Sequence, residues 1–216
     1  MASVRYLWTV SLVLASDYRV GDFDGWWSKI SSEVTSMAAL NAHHVVVYRS
    51  LDDPDRIFIT VGVHEERPLK ELLRSPKVFD WFDSAEVDDL PPIFAGHVVE
   101  KIDLRRERDR RDRTGIMVAS IAALDNVAAL MQAVHASLEE MHAAGVRRWW
   151  LYRAFDAADE VMVLREIESV QLARRWLSHP VVGAKLLADA GIGVYPPPFV
   201  GTLVRSIEVS AAGEPG

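Results

Sequence analysis

One stretch of this chain is written twice. Tyr48-Arg49-Ser50-Leu51-Asp52-Asp53-Pro54-Asp55-Arg56-Ile57-Phe58 returns 104 residues later as Tyr152-Arg153-Ala154-Phe155-Asp156-Ala157-Ala158-Asp159-Glu160-Val161-Met162. Around this shared Tyr-Arg-x-(Leu/Phe)-Asp-x-x-Asp core the order of apolar segments repeats as well. Similar halves fold alike, so the 216 residues divide into two copies of one unit of roughly 100 residues, a normal domain size.

In the first half, a strand is expected from Tyr6 to Ala15, then a turn through Asp17, Gly21 and Asp22. Phe23, Trp27, Ile30, Val34 and Met37 recur at helical spacing behind Asp22 as N-cap. His43 to Ser50 forms a second strand and Asp52-Asp53-Pro54-Asp55 a turn. Arg56 to His64 alternates cleanly, with Ile57, Ile59, Val61 and Val63 on one face and Phe58, Thr60, Gly62 and His64 on the other. Glu66 to Ser84 is helical with an interruption at Ser75-Pro76, and Ile93 to Asp103 is a fourth strand.

The second half repeats this order. Ile116 to Ala123 is a strand, and Asp125 caps a helix with Val127, Leu130, Met131, Val134, Leu138 and Met141 on its apolar face. Strands Arg147 to Phe155 and Glu160 to Ile167 flank the Asp156–Asp159 turn. A helix over Ser169 to Asp189 breaks at Ser178-His179-Pro180, and Phe199 to Val209 is the last strand.

Each half therefore reads β-α-β-β-α-β, the ferredoxin-like split βαβ unit. The expected division is a first repeat over 1–103, a charged linker over 104–113, a second repeat over 114–209 and a loose tail over 210–216. A four-stranded sheet with helices on one face must cover the other. The expected fold class is α+β, with tandem ferredoxin-like repeats whose sheets face each other and close an α/β barrel, a pseudo-dimer with its helices outside and scope for further homodimerisation.

Composition removes several function classes. The net charge of −7 argues against nucleic acid. The run Leu104 to Arg113 holds six arginines, but Glu107, Asp109 and Asp112 interrupt it, which suits a solvated linker. With no cysteine there are no disulfides, thiolate nucleophiles or Cys-based metal sites. The apolar start lacks a basic flank and a cleavage site, and no apolar run reaches membrane-spanning length, so the expectation is a cytoplasmic protein without membrane contact. GxGxxG, the P-loop, Gly-x-Ser-x-Gly and HExxH are all missing.

The residues that could carry chemistry are mostly aromatic or imidazole. Trp8, Trp26, Trp27, His44, Tyr48, Phe58, His64 and Trp81 suit an apolar pocket with a few polar handles, the kind of site a flat hydrophobic small molecule needs. Period-two geometry puts His44 and Tyr48 on one face of a strand. The same geometry sends the neighbours His43 and His44 to opposite faces, which argues against a shared metal ion. His135 and His142 lie too far apart on a helix to share one, and His142 at a helix end would suit the helix dipole. His179 is expected in a surface loop. Arg165 alternates with Val161, Val163 and Ile167; a charge on an apolar strand face calls for an ion pair, with Glu33 or Glu139 as partner, or for an anionic ligand. By the 104-residue offset the counterparts of His44 and His64 are Arg148 and Glu168, so the two halves cannot carry equivalent sites.

The element order, with the repeated Tyr48-Arg49 and Tyr152-Arg153, Ser75-Pro76-x-Val78 and Ser178-His179-Pro180-Val181, and Pro91-Pro92-Ile93 and Pro197-Pro198-Phe199, resembles the dimeric α/β-barrel superfamily in its fused, two-repeat form. That superfamily includes antibiotic-biosynthesis-type monooxygenases, polyketide cyclases, EthD-like proteins, and haem enzymes of the chlorite-dismutase kind. The monooxygenase resemblance implies cofactor-independent oxidation of a hydrophobic aromatic or polyketide-like compound. His44, Tyr48 and His64 would then serve as catalytic groups, with Trp8, Trp26, Trp81, Phe58, Tyr152 and Arg165 around the substrate. The chlorite-dismutase resemblance implies haem, with His142 as ligand and Arg147 and Arg148 near its propionates. A non-enzymatic ligand-binding or assembly module is the third reading, since fold alone does not choose.

Overall fold

The computed structural model describes residues 12–33, 41–64, 91–105, 115–178 and 197–209. They form strands β1 (Leu12–Arg19), β2 (Ala42–Ser50), β3 (Arg56–Val63), β4 (Ile93–Asp103), β5 (Ile116–Ala123), β6 (Val146–Ala154), β7 (Glu160–Ile167) and β8 (Phe199–Glu208). The helices are α1 (Phe23–Ser32), α2 (Val127–Ala136), α3 (Leu138–Ala143) and α4 (Val170–Ser178). The helix expected over 66–84 lies outside the described residues.

The strands close into a barrel in the order β1-β3-β2-β8-β5-β7-β6-β4. Each half contributes the ferredoxin-like run, β4-β1-β3-β2 and β8-β5-β7-β6. The fold is the expected tandem ferredoxin-like α/β barrel. The halves join edge to edge, through antiparallel seams β2–β8 and β4–β6. Closure leaves none of these eight strands with an open edge, the usual liability of a four-stranded sheet.

Pseudo-twofold symmetry explains the repeated sequence. Arg49 Nε donates to the Pro54 carbonyl at 2.5 Å and Arg153 Nε to the Ala158 carbonyl at 2.6 Å, each bracing its own hairpin turn. The Asp55 carbonyl accepts from Val20 N at 2.8 Å and the Asp159 carbonyl from Leu124 N at 2.5 Å, tying the end of the first strand of each half to that turn. The Tyr-Arg-x-x-Asp-x-x-Asp core is thus a hairpin brace. The strands β2 and β6 begin alike too: Asn41 (φ 55°) and Gly145 (φ 86°) both take the left-handed conformation that short polar residues and glycine tolerate. Their carbonyls accept from His64 N and Glu168 N.

Each seam is also symmetric. A Cβ at Gly96 would overlap the Arg153 carbonyl, and one at Gly201 would overlap the Arg49 carbonyl. Two residues before each glycine, Phe94 and Phe199 enter the barrel core. The true correspondence is therefore Phe94-Ala95-Gly96 with Phe199-Val200-Gly201, one residue out of step with the Pro-Pro pairing.

Three apolar layers result. Tyr18, Phe23, Trp26, Ile30, Val45, Val47, Ile57 and Ile59 pack between α1 and the outer sheet face of the first half. Leu130, Val134, Met141, Trp149, Leu151, Val161 and Val163 do the same in the second. Val13, Phe58, Phe94, Met117, Tyr152, Met162 and Phe199, drawn from both halves, fill the barrel. The alternation read for β3 holds, with Ile57 and Ile59 outside and Phe58 inside.

Several local expectations shift. β1 runs on to Arg19, because Asp17 is paired across to Arg56 and Tyr18 is buried outside, so these polar-looking residues belong to the strand. The α1 cap at Asp22 is as expected, its side chain accepting from Gly25 N at 3.0 Å, but Trp26 rather than Trp27 is the deeply buried indole. In the second half Asn126, not Asp125, is the N-cap, accepting from Ala129 N at 3.0 Å. The expected single helix there breaks at Ser137 into α2 and α3.

Candidate functional site

The inner wall of an eight-stranded barrel has room for side chains or one small ligand. Here one part of that wall is apolar and another is polar. Phe58 stacks near Phe199 (ring centroids 5.4 Å) in the apolar part, over which the Arg56–Asp17 pair lies, Arg56 Nε donating to Asp17 Oδ1 at 2.8 Å. Tyr48 pairs with Phe58 in the β2–β3 register, its ring 6.3 Å away, and His44 pairs with Gly62 two rungs on. The strand faces of His44–Tyr48 and of Phe58–Gly62 therefore coincide, and both look into the barrel.

Gly62 matters for what it lacks. A Cβ there would overlap the His44 and His43 rings, so the glycine opens the space the imidazoles occupy. A β-bulge between Ala42 and His44 adds a residue to the strand at this point. It overturns the expectation that His43 and His44 face apart. Their Nδ1 atoms lie 2.6 Å from each other and their rings 4.2 Å apart. His64, exposed at the end of β3, sits 4.4 Å from the His43 ring.

One Nδ1 must donate and the other accept, so at least one of the pair is a neutral tautomer. Burial, then the neighbouring His44, His64 and Lys101, lowers the pKa of His43 to about 4. Burial, then Lys101 and His64, also lowers that of His44, with Glu208 opposing. Two nitrogens on one tetrahedral zinc stand roughly 3.3 Å apart, so the 2.6 Å contact is a hydrogen bond rather than a half-built metal centre. Among the described residues no cluster of three histidines or carboxylates is disposed to hold a metal.

Arg148 and Glu166 hold, in the second half, the rung that His44 and Gly62 hold in the first. Arg148 Nε donates to Glu166 Oε2 at 2.5 Å. Its guanidinium also lies 5.1 Å from the Trp150 ring. Glu166 is only 4% exposed, and among the described residues its Oε1 has no hydrogen-bond partner. The pair acts on Tyr48. Burial raises the pKa of that phenol, Arg148 works against the rise and Glu166 adds to it. Tyr152, the counterpart of Tyr48, is likewise raised by burial and then by Tyr48 itself. Both phenols stay protonated donors at neutral pH.

A second bulge, in β4 between Val98 and Glu100, puts Lys101 opposite Trp150 on the inward face. Burial lowers its pKa. The polar residues of the barrel lining, contributed from both sides, are thus His44, Tyr48, Lys101, Arg148, Tyr152 and Glu166. Sequence reasoning missed the Arg148–Glu166 pair. The same 104-residue offset holds the signal: beside the exchange of His44 for Arg148, Gly62 is exchanged for Glu166, a cation and an acid appearing together.

Other expected site residues lie elsewhere. Trp26 sits under α1, outside the barrel. Arg165 is on the outer face of β7, in no ion pair with Glu33 or Glu139 among those of the described residues. Trp8, Trp81 and His179 lie outside the described residues. His142 is exposed on α3, whose buried residue is Met141. An axial haem ligand must point into an enclosed apolar slot. Arg147 and Arg148, expected near propionates, are paired with Glu168 (3.8 Å) and Glu166. The described residues do not fit haem at His142.

No family model matches the chain, and no curated protein matches it. Solved structures share its fold. An anthrone oxidase-like protein matches at 10% identity and TM-score 0.63, over 95% of this chain and 94% of that one. A protein from Fusobacterium nucleatum named as a candidate monooxygenase matches at 8% and 0.61, over 94% and 96%. A mutant chlorite dismutase from Candidatus Nitrospira defluvii matches at 14% and 0.56, over 91% and 92%. These are the branches that the element order resembles.

Proposed function

We propose that the protein binds a hydrophobic aromatic or polyketide-like compound between the polar groups that line the barrel and oxidises it with molecular oxygen, without a bound cofactor. His44 is the base. It takes a proton from an activated C–H of the substrate, whose own ring system holds the resulting carbanion as an enolate. The Tyr48 hydroxyl and the Arg148 guanidinium stabilise the enolate oxygen, and Glu166 Oε1 accepts from a substrate hydroxyl. The carbanion reduces oxygen to a bound peroxide. Loss of water then leaves a C=O where a CH₂ stood, one oxygen atom in the product and one in water. His44 returns its proton to the peroxide, whose outer oxygen departs as water with the second hydrogen of the CH₂, and the imidazole is restored as the neutral base.

The observation that carries this reading is that His44 and Tyr48 on one side of the barrel and the Arg148–Glu166 pair on the other all face its interior, close enough for the pair to act on Tyr48, beside Phe58, Trp150 and Phe199. The likeness to an anthrone oxidase-like fold supports the choice of chemistry. Oxygen uptake with hydroxyanthrones tests it. His44→Asn and Tyr48→Phe are expected to cut turnover by about 10²–10⁴-fold and 10-fold or more respectively. Uptake unchanged in both variants, or none with any anthrone or naphthol offered to the wild type, defeats the assignment.

A further inference from the structure

Arg165 is 8% exposed on the outer face of β7, inside the apolar layer between the second-half sheet and its helices. Its cross-strand neighbours are Val118 and Trp149. The Trp176 ring of α4 lies 5.8 Å from its guanidinium carbon. No ion pair of the described residues includes it. Burial lowers its pKa to about 10, and among the described residues no carboxylate acts on it. The equivalent rung of the first half is Leu14–Val61–Val45, entirely aliphatic. The fold therefore does not need a cation here. A desolvated guanidinium without a counter-charge opposes folding, and an indole face offsets only part of that cost.

We propose that Arg165 is the anchor of a second binding site, in the sheet–helix layer of the second half, for the carboxylate of an aromatic acid. A guanidinium fork matches a carboxylate through two parallel hydrogen bonds. Trp149 and Trp176 provide flat apolar walls for a ring. An inorganic anion fits poorly, because one cation among indoles and aliphatics cannot replace the hydration shell of a small, highly charged ion. The site is on the opposite face of β7 from Glu166 and stands independently of the reaction proposed for the barrel.

The test uses the full chain with 2-naphthoate, its neutral analogue 2-naphthalenemethanol, and inorganic phosphate, read by tryptophan quenching and thermal melting. Naphthoate is expected to quench the wild type and raise its melting temperature, and the alcohol and phosphate to bind about tenfold or more weaker. Arg165→Met should melt no lower than the wild type and lose the naphthoate response. Arg165→Lys, which keeps the charge without the fork, should retain a weakened one. Arg148→Met, which alters the barrel lining and melts lower on its own, should keep the part of the naphthoate quenching that Arg165→Met removes. Equal binding of acid and alcohol, no response of the wild type at millimolar naphthoate, a response that survives Arg165→Met, or one lost with Arg148→Met instead would each overturn the proposal. If Arg165→Met does not fold, the side chain has a structural partner; an undiminished response in Arg165→Lys would likewise remove the fork.

Discussion

Arg148 grips Glu166 across the β6–β7 rung that is the pseudo-symmetric image of His44 and Gly62. One wall of the barrel thus offers an imidazole beside an empty position, and the other a guanidinium beside a carboxylate. The hairpin braces around Arg49 and Arg153 stay the same in both halves. What the halves share is scaffold; where they differ, on this rung, the lining acquires chemical direction.

The pair should behave as a unit. Arg148→Met strands a nearly buried carboxylate and is expected to lower stability by about 2–4 kcal/mol, below the full cost for a wholly buried pair because Arg148 is partly exposed. Glu166→Met should cost less, and the double variant should recover much of the loss. Urea unfolding of the four proteins measures the coupling, and additive single effects would contradict it.

Gly62→Ala should leave the fold and move the imidazoles. The overlap is with ring atoms of His43 and His44, which can rotate away, rather than with backbone. The expected result is a small stability change, altered histidine ring signals in NMR spectra and a large loss of oxygen uptake. Unmoved His44 signals would show that the ring does not use this space.

Acid should weaken the protein through His43. Its folded pKa of about 4 lies below the ordinary 6.5, so between these values the unfolded chain takes up a proton that the folded one refuses. That stability is present above pH 6.5 and is lost as pH falls toward 4. His43→Asn should flatten the melting-temperature profile over that interval, and an equally steep fall in the variant would point to other groups.

Lys101 sets the working range of His44. It helps hold the imidazole pKa below its usual value, so the acid limb of the rate profile should lie below that of an ordinary histidine. Lys101→Met removes this contribution and should shift the limb to higher pH. A limb that stays in place would separate Lys101 from the base.

The seams should tolerate nothing larger than glycine. Gly96→Ala and Gly201→Ala each push a methyl into a backbone carbonyl of the opposite half. Each is expected to destabilise by about 1–3 kcal/mol, measured by thermal melting, with surface Gly21→Ala, which meets open space, as the neutral comparison.

Much of the architecture could be read from the repeat and from period-two alternation. Ile57 and Phe58 take the faces expected of them, and Tyr48-Arg49 and Tyr152-Arg153 mark equivalent hairpins. The site was less legible because register slips leave no trace in composition. The bulge after Ala42 brings His43 beside His44, and the bulge after Val98 points Lys101 inward. Alternation counted along the sequence loses the face at each. Pairing between halves was hidden as well, since the strands that meet at β2–β8 and β4–β6 are far apart in the chain.

A barrel assembled from two identical subunits would receive every substitution twice, on opposite walls at once. Here the seams bind unlike halves of a single polypeptide, so one codon alters one wall. A histidine could be retained on one side while its mirror position became an arginine with its own counter-ion, and the lining was released from the symmetry that its framework still obeys.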